Sequence, residues 1–176
     1  MPPFDHPWIV SGQGTAGLEI LEQRPDVATV IVPIGGGGLA AGVAAAIKLS
    51  RPGVRVIGVE PAGAAKMKAS LDAGHPVTLD RTQSVADGLL PVRPGDLTFA
   101  LVRQFVDSVV TVEDQQIIDA VLWLYRHAKI VVEPSGAAGL AAALAGAGAP
   151  GPAVAIISGG NIDRERLEEF KREAGR

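Results

Sequence analysis

Val30-Ile31-Val32-Pro33-Ile34-Gly35-Gly36-Gly37-Gly38-Leu39-Ala40-Ala41-Gly42 is the stretch from which the rest of the chain can be read. An apolar, largely β-branched run meets four consecutive glycines and passes straight into an alanine-rich pattern, so the stretch predicts strand, loop and helix. A helix starting directly after such a loop presents its first N–H groups at the positive end of its dipole. Glycine also removes the Cβ that would hold an anion away from the backbone. The loop therefore fits a phosphate. A flexible connector is the alternative, but four glycines in a row carry a large entropy cost for a mere connection.

Outward from that joint, strands and helices alternate. Val27–Ile34 reads as the first strand and Gly38–Leu49 as the helix after the glycines. Val54–Glu60 is a second strand, followed by a helix over roughly Ala62–Ala73 that ends at Gly74. Residues 75–96 are irregular; a loop of that length in a compact domain is usually functional. Leu97–Phe105 reads as a helix, Ser108–Val112 as a third strand and Glu113–His127 as a helix. Ile130–Val132 is ambiguous. Pro134 opens a helix over Ser135–Ala145, Val154–Ser158 is a fourth strand, and Asp163–Glu173 a charged terminal helix. Before the first strand, residues 1–12 are rich in Pro and Gly and read as irregular, with a short helix over Gln13–Arg24 opened by Thr15. Alternation of this kind implies an α/β fold, an open, mainly parallel sheet flanked by helices, with residues 1–176 as a single domain.

Composition narrows the function classes. Hydrophobic residues make up 47 % and charged residues 20 %, as in globular rather than disordered chains. A net charge of −3 gives no sign of a nucleic-acid partner. No cysteine is present, which excludes disulfides, thiolate metal ligands and a cysteine nucleophile. No apolar run reaches the length of a membrane span, and the first residues do not resemble a signal peptide, so the expectation is a cytoplasmic protein without membrane contact.

Four features fall at or near the carboxyl ends of predicted strands, where parallel sheets bind ligands: Gly35–Gly38, Glu60, the segment at Glu133, and Ser158-Gly159-Gly160. One reading is a dinucleotide site, with Gly35-x-Gly37-x-x-Ala40 as the glycine fingerprint and Glu60 as the ribose-binding acid. That register leaves two glycines and the second glycine turn without a role. Glu60 is equally a helix N-terminal acid. Ser158 is either a turn hydroxyl or a hydrogen-bonding group for a ligand lying across the sheet end. His6, His75 and His127 have no metal-ligand spacing, and no G-x-S-x-G elbow is present.

Six segments carry a resemblance along nearly the whole chain: Gly12-Gln13-Gly14-Thr15, Val32-Pro33-Ile34-Gly35-Gly36-Gly37-Gly38-Leu39, Gly58-Val59-Glu60-Pro61, Ala86-Asp87-Gly88, Val132-Glu133-Pro134-Ser135-Gly136-Ala137 and Ile157-Ser158-Gly159-Gly160-Asn161. In this order they resemble the threonine dehydratase (threonine ammonia-lyase) and serine racemase family, fold-type II enzymes that use pyridoxal 5'-phosphate. The resemblance implies most of the family's large domain, which is similar to that of the tryptophan synthase β chain. It implies that Gly35, Gly36, Gly37, Gly38 and Leu39 hold the cofactor phosphate. It places Ser158, with Gly159 beside it, facing the pyridine nitrogen, and Glu133 near the cofactor. The activity it implies is β-elimination from threonine or serine to a 2-oxo acid and ammonia, in an intact enzyme expected to be a homo-oligomer.

The chain also departs from that pattern. The family's Schiff-base lysine lies in a Lys-x-Arg-Gly-Ala context, and Lys48, Lys66, Lys68, Lys129 and Lys171 all lie elsewhere. The Ser-Ser-Gly-Asn-His loop and the small domain are missing as well, so the expectation is the C-terminal part of a longer enzyme. The resemblance further implies a cation held by Glu60, the Ala64 carbonyl and a carboxylate at position 66. Lys66 stands there instead, and an ammonium offers no lone pair. No metal is expected; the ammonium either fills the ion's place or points to solvent.

Overall fold

The fold, taken from a computed structural model, is described for residues 2–148 and 150–173. Four parallel strands form one sheet in the order β3-β2-β1-β4. They are β1 (Thr29–Pro33), β2 (Arg55–Pro61), β3 (Ser108–Val112) and β4 (Ala153–Ala155). Ile31 pairs with Ile57 on one side and with Ala155 on the other. The chain thus leaves β1 toward β2 and β3, and returns with β4 to the opposite side of β1. A crevice outside the carboxyl ends of β1 and β4 follows from that reversal of direction.

Both faces of the sheet are covered, so β1 is buried at every position. Its side chains alternate. Val30 and Val32 face α1 (Pro7–Gln23), α2 (Gly38–Ser50) and α4 (Asp96–Phe105). Ile31, with Ile57 and Val59 of β2, faces α5 (Asp114–Trp123), α6 (Pro134–Leu144) and α7 (Arg164–Glu173). No helix among the described residues is long and apolar enough to cross a membrane.

Several elements differ from the sequence expectation, each for a local reason. The first helix begins at Pro7 rather than near Thr15. Pro7 fits a first-turn position, where a missing N–H costs nothing, and His6 caps the helix by accepting the Trp8 N–H at 3.2 Å. The glycines inside it serve close packing rather than turning. A Cβ on Gly17 would lie 2.8 Å from the Val43 carbonyl, and one on Gly42 of α2 would lie 2.7 Å from the Gly14 nitrogen. The expected helix over 62–73 is split into a 3-10 turn at Ala62–Ala64 and α3 (Lys66–Ala73). The split lets the Glu60 carboxylate accept the Met67 and Lys68 N–H groups, both at 2.9 Å, as a remote cap.

Farther along, the helix expected to reach His127 passes at Leu124 into a π turn that ends on Lys129, at φ 59°. Ile130–Val132 forms no strand, and β4 stops at Ala155 rather than at Ser158. Ile156 still donates to the Ile31 carbonyl at 2.9 Å before the chain turns toward α6. There Gly136 lets the Ser158 carbonyl approach so closely that any Cβ would collide with it.

Two substitutions test whether these helical glycines are spacers. Gly42→Ala should destabilise by about 1–3 kcal/mol through overpacking against α1. Gly12→Ala, where a Cβ meets nothing within 4 Å, should stabilise by about 0.5–1 kcal/mol. Chemical denaturation of the two variants beside the parent chain measures both signs.

Candidate functional site

The glycine loop joins β1 to α2 and forms one wall of a cleft of about 360 Å³. Gly35–Gly38 and Leu39 line this wall, Gly88 and Leu89 lie opposite, and Ser158 closes the side below β4. Gly37 is the N-cap of α2 in a left-handed conformation, φ 102°, which glycine adopts without strain. No side chain caps α2. Its first-turn N–H groups, those of Gly38, Leu39 and Ala40, therefore lack intrahelical partners and point out of the helix toward the cleft. With the dipole behind them they make an anion site.

The loop is held from behind. The Gly36 carbonyl accepts the Thr98 hydroxyl at 2.7 Å and the Gly95 N–H at 3.3 Å. On the cleft side, Phe4 is itself a lining residue and packs its ring against Gly36, where a Cβ would overlap it. Asp5 then accepts the Asp96 and Thr98 N–H groups at 3.0 and 3.1 Å, capping α4. The segment read as irregular is therefore part of the site.

Across the cleft, the turn Asp87–Leu89 is tied to α6. Gly88 donates to the Ser135 hydroxyl at 2.8 Å, and that hydroxyl lies 3.3 Å from Asp87 Oδ1. Glu133 does not line the cleft. Its carboxylate accepts the Asn161 N–H at 2.8 Å and fills the space beside Gly159, which at φ 81° leaves no room for a Cβ. Glu133 thus braces the turn that carries Ser158. Gly159, likewise, shapes that turn and is exposed rather than part of the wall.

Behind Leu89 lies a fully buried pair. The Lys66 Nζ is 3.2 Å from Glu60 Oε1 and donates to the carbonyls of Ile34 at 3.1 Å, Ala64 at 3.2 Å and Leu89 at 2.9 Å. Both side chains have no exposed surface. Burial raises the Glu60 carboxyl above its ordinary range, opposed by Lys66 and the two backbone N–H groups. Burial likewise lowers the Lys66 ammonium, opposed by Glu60. Four oxygens face Nζ, which is the surrounding of a protonated amine. Glu60, sealed in this way, cannot reach a ribose hydroxyl, so the dinucleotide register of the glycines is set aside.

A family model for pyridoxal-phosphate dependent enzymes matches residues 1–159. The chain belongs to the pyridoxal-phosphate dependent enzymes. It is 49 % identical over 169 residues to L-threonine ammonia-lyase of Thermotoga maritima, covering 96 % of this chain and 42 % of that protein. With serine racemase of Oryza sativa subsp. indica it shares 45 % identity, over 97 % of this chain and 52 % of the relative. The processed form of threonine deaminase isoform 2 from Solanum lycopersicum superposes with a TM-score of 0.93 at 40 % identity, covering 99 % of this chain and 49 % of that one. The chain thus spans about half the length of the relatives it matches.

Within this pyridoxal-phosphate enzyme fold, the structure brings Gly35–Leu39 and Ser158 to one cleft and sets Glu133 and Gly159 behind it. Sequence reasoning missed Phe4, Leu89 and Thr98. Ala86-Asp87-Gly88 was visible as a motif without a role. Thr98 follows Gly95-Asp96, a helix start, but nothing in its spacing ties it to the glycines.

The buried pair makes a ranked prediction. Lys66→Met leaves a buried carboxylate with two N–H donors and no counter-charge, at a cost of about 3–5 kcal/mol. Glu60→Gln keeps an oxygen facing Nζ and should cost less. Denaturant titration of the two variants gives the order; equal or reversed losses would show that Glu60 matters chiefly as the cap of α3.

Proposed function

We propose that this chain is the phosphate-holding part of an enzyme that eliminates water from threonine or serine with the help of pyridoxal 5'-phosphate. The observation that carries the reading is the uncapped N-terminus of α2, reached through four glycines and facing Ser158 across the crevice beside β1. The cleft volume, about 360 Å³, falls within the range of small-molecule sites. The bound cofactor supplies an electron sink for the pair released when an amino acid loses its α-proton.

This chain's own groups then have separate tasks. Backbone N–H groups of Gly35–Gly38 and Leu39 would hold the phosphate dianion. The Ser158 hydroxyl, neutral at any physiological pH, would offer the ring nitrogen a hydrogen-bond partner without a full charge. Glu133 keeps Ser158 in place through the Asn161 N–H.

The lysine that moves the α-proton is assigned to sequence outside these residues. Lys48 is bound to Asp107, Lys66 is buried, and Lys68 faces Asp72. Lys129 donates to the Arg126 carbonyl, and Lys171 pairs with Glu168. We further assign the place of a structural cation to the Lys66 ammonium.

Titration of the purified chain should show tighter binding of pyridoxal 5'-phosphate than of pyridoxal, with no lysine fixed by borohydride and no ammonia released from threonine or serine. Equal affinity for the two ligands would overturn the phosphate assignment. Ammonia release abolished by replacing one of the chain's own lysines would overturn the division of labour. A chelator should leave the melting temperature unchanged; a fall reversed by magnesium or calcium would remove Lys66 from the cation's place.

A further inference from the structure

A loop of consecutive glycines has no polarity of its own. The plane of the peptide between two glycines can rotate without a Cβ to resist it, presenting either its N–H or its carbonyl to one side. Only the first orientation attracts a phosphate; the second presents a partial negative charge to it. Something outside the loop has to choose.

The peptide joining Gly36 to Gly37 is held by its oxygen. Thr98 donates its hydroxyl to that oxygen at 2.7 Å, and the Gly95 N–H reaches it at 3.3 Å. Thr98 is fully buried and lies behind the loop, not in the cleft wall. No cis peptide occurs among the described residues, so the N–H of Gly37 points opposite to the Gly36 oxygen, away from Thr98 and into the cleft. The next peptide is fixed as well, because the Gly37 carbonyl accepts the Ala41 N–H at 2.8 Å. With Gly37 at φ 102° and ψ −8°, its N–H and that of Gly38 lie on the same side of the chain.

Thr98 is itself oriented. Its backbone N–H and that of Asp96 bind the Asp5 carboxylate, and its hydroxyl makes a second, longer contact with the Gly95 carbonyl at 3.3 Å. A Cβ on Gly37 would lie 2.8 Å from the Thr98 Cβ, so loop and threonine are in direct contact. No other side-chain donor to the Gly36 oxygen is found among the described residues.

We infer that Thr98 is a positioning residue that sets the polarity of the glycine loop, and with it the chain's preference for a phosphate-bearing ligand over the same ligand without phosphate. The inference rests on the phosphate-binding reading of the loop and adds the group that makes the loop selective. Removing the hydroxyl leaves the Gly36 oxygen with the longer Gly95 contact alone, and the 36–37 peptide becomes free to turn over.

The test uses Thr98→Val, close to Thr in volume, with Thr98→Ala as a second variant should the first fail to fold, and Thr98→Ser as the conservative control. Affinities for pyridoxal 5'-phosphate and for pyridoxal are measured side by side, and the Gly37 amide is followed by nitrogen-proton NMR without ligand. Loss of the hydroxyl should weaken pyridoxal 5'-phosphate binding about tenfold, the scale of one hydrogen bond to a charged group, while pyridoxal binding stays unchanged. The Gly37 amide signal should double or broaden in Thr98→Val and return to one sharp line in Thr98→Ser, which should also restore affinity. An equal loss for both ligands would mean a merely structural role and overturn the inference. So would an unchanged preference with a single, unshifted Gly37 signal. A parent chain with no preference for the phosphorylated ligand would instead sink the underlying reading, and the amide signal would still decide whether Thr98 orients the loop.

Discussion

The ammonium of Lys66 sits where three separate segments of backbone would otherwise present unpaired carbonyls to a dry interior. Ile34 is the residue before the glycines, Leu89 belongs to the opposite cleft wall, and Ala64 closes the turn after β2. Each of these oxygens needs a donor, and one point charge with three protons serves them together. Glu60 balances the charge and at the same time caps α3, so the helix that carries the lysine is fixed by the lysine's own partner. The separation of the two cleft walls is therefore set from inside the protein, independently of anything bound between them.

A second constraint is spatial. The glycines of α1 and α2 bring two helix backbones within reach of each other, which fixes the position of α2 on the sheet. That position aims the N-terminus of α2 at the crevice beside β1. On the other flank Gly136 allows the segment after β4 to lie against α6, carrying Ser158 to the same crevice. Small residues here shape the site by letting main chain approach main chain, a device suited to a protein in which aromatics are only 4 % of residues.

Much of this was legible in the sequence. The parallel α/β sheet followed from alternation of β-branched runs with alanine-rich ones, and the strand–loop–helix joint that opens α2 from glycines between such a pair. What the sequence hid was long-range and main-chain in character. Pro7 and Gly12 look like turn residues, and only the helix itself shows Pro7 in its first turn and Gly12 inside it. Glu60 had two plausible uses, and only its burial beneath α3 separates them. Thr98 and Asp5 act on the site through hydrogen bonds to backbone atoms far away in sequence, and such bonds leave no periodicity to detect. Lys66 stood out only through the resemblance, which implies a carboxylate at that position, and its burial against Glu60 removes the alternative in which it points to solvent.

The order of the strands also governs how the site comes into being during synthesis. The glycine loop, α2, β2 and the lysine clamp are local in the chain and can assemble once α4 has emerged. The strand that completes the crevice pairs Ala155 with Ile31, and it is made only after β2, β3 and α6. Closing that long loop carries an entropy cost that no nearby contact has yet offset, and such non-local strand pairing slows folding. A chain made only as far as α6 thus holds the glycine loop open to one side, and the missing side arrives with β4. Until then the exposed edge of β1 offers unpaired main-chain groups to any neighbouring chain, which makes completion of the crevice and protection from aggregation the same event.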